Sequence, residues 1–167
     1  MKGNEAIGLA GGPFLRIRGY VPVILGLMLL LVAHAAAART SRNFNLDPDG
    51  YALRQYDPVG YFTMGKALRG KTGLTIKYKG AKYAFSSEEN RKLFLQNPEK
   101  FLPQYGGYCA FGLVYGSKSD IDPEIWEIVD GRLFFLINPG TMSLWSRKKE
   151  SNIRTADKAW ESINGKN

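Results

Sequence analysis

The chain has 167 residues, 44% of them hydrophobic and 13% aromatic, with a net charge of +8 and one cysteine. That is ample apolar material for one packed domain, and a lone cysteine excludes both an intramolecular disulfide framework and a Cys-rich zinc module. Stability has to come from packing.

Arg16 and Arg18 precede the uncharged, Leu-rich run YVPVILGLMLLLVA, and small residues follow in AHAAAART. This is the layout of a Sec-type secretory signal over Met1 to about Ala38. Read instead as an uncleaved N-terminal membrane anchor, the same run is close to the lower length limit for crossing a bilayer. The alanines favour cleavage, and on either reading the domain is expected to be periplasmic or secreted. His34, the only histidine, lies in this segment. The mature domain therefore lacks the imidazole that serves most general acid–base chemistry and most zinc or copper sites. Losing Lys2, Glu5, Arg16 and Arg18 with the leader leaves 20 basic and 14 acidic residues, a net charge of +6. That excess gives a weak electrostatic attraction to anionic membrane surface. The basic residues are dispersed apart from Arg147 to Lys149, and export makes nucleic acid an unsuitable partner.

Residues 39–52 are polar and aperiodic and read as a linker, with a domain over 53–167. In LTIKYKGAKYAF, Leu74, Ile76 and Tyr78 alternate with Thr75, Lys77 and Lys79, Gly80 interrupts, and Tyr83 and Phe85 resume the alternation. This predicts a β-hairpin with one apolar face. Ser86 followed by Glu89 reads as a capping box opening a helix that uses Leu93, Phe94 and Phe101 as its apolar positions, with Pro98 stopping or restarting it. After the glycine-rich YGGYCAFG and the solvated loop SKSDIDPE, Asp130-Gly131 between two apolar runs predicts a second hairpin. Its second strand, Leu133 to Ile137, is apolar on both faces and so covered. From Pro139 on, Met142, Leu144, Trp145, Ile153, Ala156, Trp160 and Ile163 fit one or two amphipathic helices. The expected class is α+β: a small antiparallel sheet of two hairpins with helices packed over one side. No internal repeat is visible.

The segments YDPVGYF, YKGAKYAFSSEENRKLFLQNPEKFLPQYGGYCA and DPEIWEIVDGRLFFLINPGTMSLW together resemble the YHS-domain family, in the longer form found in secreted bacterial proteins. The resemblance spans roughly Leu53 to Ile163. The family's short form, found on metal-transporting ATPases and some oxygenase components, carries cysteines suited to metal ions. Laid on this chain, those thiols fall at Gly60, Ser86 and Asn90. All three are absent, and Ser86 is accounted for as a helix cap. The resemblance thus implies the fold and not the metal chemistry.

Four readings of Cys109 stay open. It could fill space beneath the hairpins, since free cysteine is among the most buried residue types. It could be a redox-active thiol, which requires exposure and a lowered pKa, although Tyr105, Tyr108 and Phe111 are its neighbours and no cation is close in sequence. It could join Met64 and Met142 as a soft set for Cu(I) or another soft metal. Or Cys109, Tyr105 and Tyr108 could form one wall of a ligand pocket, with Tyr56 and Asp57 on the other. Trp126, Trp145 and Trp160 are expected in the core. There is no flanked nucleophilic serine, phosphate loop or histidine base. The expected function is a non-catalytic extracytoplasmic module, requiring no cofactor, that binds a small molecule or an envelope protein through Tyr56–Phe62 and Tyr105–Gly112. The alternative is a thiol-dependent redox or copper-handling protein.

Overall fold

The computed structural model describes residues 43–165; the leader or anchor read over residues 1–38 lies outside them. Among the described residues no helix is long and apolar enough to cross a membrane. The elements are α1 (Pro58–Thr63), the hairpin β1 (Lys71–Tyr78) and β2 (Ala81–Phe85), α2 (Glu88–Gln96) and α3 (Pro98–Phe101). They are followed by α4 (Ala110–Val114), the hairpin β3 (Asp122–Val129) and β4 (Arg132–Leu136), α5 (Pro139–Arg147) and α6 (Lys149–Gly165). The class is α+β, and the two hairpins stand as separate two-stranded antiparallel sheets.

The elements before and after Phe101 repeat one hairpin-and-helix unit. Each hairpin turns on two residues of positive φ, Lys79-Gly80 in the first and Asp130-Gly131 in the second, as a two-residue turn matched to strand twist requires. The registers correspond pair for pair. Tyr78 faces Ala81 and Lys71 faces Phe85, while Val129 faces Arg132 and Asp122 faces Leu136, with a register shift at the same place in both. The following helices have equal length and start the same distance after the strand, capped by the side chains of Ser87 and Asn138. Before each hairpin comes a tight turn of three positive-φ residues, Leu53–Gln55 and Tyr105–Gly107. Tyr56 N–H donating to Leu53 O at 2.9 Å closes the first, and Tyr108 N–H donating to Tyr105 O at 3.1 Å the second. Asp57 N–H then bonds Leu68 O at 2.8 Å, and Cys109 N–H bonds Ser119 O at 3.0 Å.

Equivalent positions fill the core with different residues. Tyr61 and Leu113, Tyr83 and Phe134, Phe85 and Leu136, and Phe94 and Trp145 are all fully buried. Packing fixes where apolar volume goes, not which residue supplies it. The repeat is therefore plain in geometry and hidden in sequence.

Two assignments shift. The cap of α2 is Ser87, whose hydroxyl accepts from Asn90 N–H at 3.1 Å; Ser86 is engaged elsewhere. The stretch read as a linker is tied to the domain from Asn43 on. Asn45 N–H donates to Gly106 O at 2.9 Å, Tyr108 OH to Phe44 O at 3.1 Å, and Ala52 N–H to Lys82 O at 2.9 Å. The covered strand is found over Leu133 to Leu136, which are buried, with the outer edge of β4 receiving the chain at Pro103 and Cys109; Ile137, read as its last residue, lies beyond the strand and is exposed.

Candidate functional site

Asp57 caps α1 with Oδ1, accepting from Val59 N–H at 2.9 Å. Its Oδ2 accepts from Ser86 N–H at 2.8 Å, Ser86 Oγ at 2.6 Å and Asn90 Nδ2 at 2.7 Å. The residue has 0% exposure. A buried carboxylate is tolerated only when its lone pairs are met by donors, and here four are supplied from α1, the end of β2 and α2. This joins the three elements.

Two of the positions where the family's short form has thiols, Ser86 and Asn90, therefore come together, with Asn90 Nδ2 also 3.3 Å from Ser86 Oγ. A soft metal does not fit there. Both side chains donate to Asp57, and at the third position a Cβ on Gly60 would meet Leu68 Cδ1 at 3.1 Å. Among the described residues no three His, Cys, Asp or Glu side chains converge.

Cys109 is 1% exposed and pairs with Phe135 at the edge of β4. Of the thioethers weighed with it, Met64 is 59% exposed and Met142 Sδ faces Ser146 Oγ at 3.8 Å. Tyr56 is half-buried; its OH donates to Glu124 Oε1 at 2.9 Å and its ring carries the Arg69 guanidinium 4.6 Å from the centroid. The hydrogen bond to Glu124, with burial adding to it, raises the Tyr56 pKa above the ordinary phenol value.

A cleft of about 830 Å³ lies elsewhere, where the two units meet. The first unit contributes Lys79, Glu99 and Leu102, the second Gln104, Tyr105, Arg132, Asp157, Trp160 and Glu161, and the N-terminal stretch Asn43 and Phe44. Its volume is that of an ordinary small-molecule site. The polar ledge is held together by hydrogen bonds. Arg132 Nη1 donates to Asp157 Oδ2 at 3.1 Å, Nη2 to Oδ1 at 2.5 Å, and Nε to Gln104 Oε1 at 3.0 Å. Tyr105 OH donates to Asp157 Oδ1 at 2.9 Å. Burial first, and this bond second, push the Tyr105 phenol well above its usual range. Opposite, Lys79 Nζ pairs with Glu99 Oε1 at 2.7 Å, and Tyr78 OH donates to the same oxygen at 2.6 Å.

Of the five residues singled out in sequence, only Tyr105 lines this cleft. Tyr108 packs against Trp160 at 6.3 Å behind it, Asp57 and Cys109 are enclosed, and Tyr56 belongs to the Glu124 side. Sequence reasoning missed Arg132, Asp157, Glu161 and Trp160. The first three look like any solvated charge in a linear sequence, and Trp160 sits at a helix position that reads as core.

The candidate site is thus a cleft at the junction of two hairpin-and-helix units in an α+β domain, the first built around a buried carboxylate. The YHS-domain family model matches residues 59–105, so the chain carries a YHS domain there. The match ends at Tyr105, where the second unit starts. No curated protein and no solved structure matches the chain.

Proposed function

We propose that the protein is a non-catalytic, extracytoplasmic binding module whose ligand site is the junction cleft. The observation that carries this reading is the cleft itself: a pocket-sized volume, apolar on Phe44, Leu102, Pro103 and Trp160, with a fixed polar ledge at Tyr105, Arg132 and Asp157. Convergent polar groups on a preformed apolar cleft are the usual make-up of a recognition site. The leader pattern supports export, and the ligand is a small molecule or an exposed group of an envelope protein. Of the two segments read from sequence as the site, the Tyr105 segment is the one retained.

A thermal-shift screen of the protein purified from expression of the whole chain tests this. Ligands that raise the melting temperature should lose that effect in Arg132→Ala and Trp160→Phe and keep it in Tyr56→Phe. Ligands that depend on Tyr56 and ignore Arg132 and Trp160 would place the site elsewhere.

A further inference from the structure

The charges of the cleft are not evenly spent. Both cations on its wall are already neutralised by carboxylates on the same wall, Lys79 by Glu99 and Arg132 by Asp157. An anionic ligand would have to displace one of those carboxylates before it met a free positive charge. The polar capacity left over is of the opposite kind. The exposed carboxylate of Glu161 has no ion pair or hydrogen bond among the described residues and brings the wall to a net negative charge. Asn43 Oδ1, on the same wall, is a buried acceptor without a hydrogen-bond partner among the described residues. Around them lie the apolar surfaces of Phe44, Leu102, Pro103 and Trp160; Lys118 Nζ already lies 5.3 Å from the Trp160 ring centroid, so the indole offers a ligand apolar surface, and the charge preference rests on Glu161.

Building on the cleft as the ligand site, we propose that it takes an organic cation: an ammonium or guanidinium group that donates toward Glu161, joined to an apolar body lying against Trp160 and Leu102. The negative wall stands out in a chain whose net charge is +8, so the selectivity is local and not a consequence of the overall field. The unpaired, exposed carboxylate of Glu161 makes the preference asymmetric. A cation gains charge-assisted hydrogen bonds there, and an anion of the same shape meets Glu161 as a like charge.

Phenethylamine, hydrocinnamate and phenethyl alcohol share a body and differ in charge, which makes them suitable probes for the full-length chain. The readout is the amide and indole N–H resonances of the cleft residues. Phenethylamine should shift the Trp160 indole and the Tyr105 and Glu161 amides, bind more tightly than the other two, and weaken roughly five-fold in Glu161→Gln, the scale of one partly solvated charge contact. The folded state of that variant is verified by its unchanged resonances away from the cleft. Equal or tighter binding of hydrocinnamate in the cleft overturns the cation inference and leaves the binding function standing. So does phenethylamine binding that Glu161→Gln does not weaken. Failure of phenethylamine to move any cleft resonance also overturns it; the binding function falls with it only if the wider ligand screen leaves the cleft still.

Discussion

Asp57 shows how much of this structure rests on single buried groups. Its carboxylate takes four hydrogen bonds with no exposure to water, so truncation leaves the donors of Val59, Ser86 and Asn90 enclosed and unmet. Asp57→Ala should cost about 3 kcal/mol or more in urea denaturation, and Ser86→Ala, which removes one donor, about 1–2 kcal/mol. Tyr83 is the opposite case. Its ring is fully buried and its hydroxyl has no partner among the described residues, while the second unit uses Phe134 at the equivalent place. Tyr83→Phe should leave stability unchanged or raise it by up to about 1 kcal/mol. A loss above that range in the same denaturation assay would mean the hydroxyl is bonded. On the cleft wall, burial alone would raise the Asp157 carboxyl, but hydrogen bonds from Arg132 and Tyr105 and the guanidinium charge outweigh it and hold the pKa below the ordinary value. A folded value below the unfolded one, about 4, means stability that is present above that pH and is lost as pH falls through the folded value. Asp157→Asn should therefore melt lower than wild type at neutral pH, and the gap should close as pH falls below the ordinary carboxylate range.

Between residues and fold stand the turns, and two adjacent glycines separate conformation from contact. Gly106 and Gly107 both have positive φ, at 62° and 82°. A Cβ on Gly107 would find ordinary contacts with Leu53 and Pro103 at 3.5 Å, whereas one on Gly106 would collide with the backbone carbonyl of Asn43. Gly107→Ala should cost about 1–2 kcal/mol, the conformational penalty alone. Gly106→Ala should cost clearly more and loosen the segment at Asn43–Asn45, read as faster amide exchange at Asn45. Equal costs would show that the approach of Asn43 is unimportant. The hairpins and their helices were legible because alternation, Asp130-Gly131 and the cap-like serines are local signals. The cap moved by one residue because Ser86 and Ser87 are alike as caps, and the nearness of Asp57, which claims Ser86, is a tertiary fact. The duplication left no sequence signal beyond a few shared residues such as Tyr56 and Tyr108 or Gly80 and Gly131. Its two cores keep volume and position and change identity. Leu53 Cδ2, on the first of the two equivalent turns, lies 3.5 Å from where a Cβ on Gly107 of the second would stand, and nothing in the order of residues announces that.

For the molecule as a whole, two copies of one hairpin-and-helix unit pack so that their seam is open on one side and lined by both. This explains why Tyr105 alone among the site residues proposed from sequence reaches the cleft. The turn carrying it lies at the start of the second unit, facing Glu99 and Leu102 at the end of the first. The buried carboxylate of Asp57 is then a structural tie of the first unit, and on the proposed function recognition belongs to the pair. A crystal structure of the protein grown with the tightest ligand from the screen tests this most directly. The account predicts ligand density between Trp160 and Leu102 with a contact to Tyr105, Arg132 or Glu161. Density seated against Tyr56–Phe62, or bonded to Cys109, would contradict it.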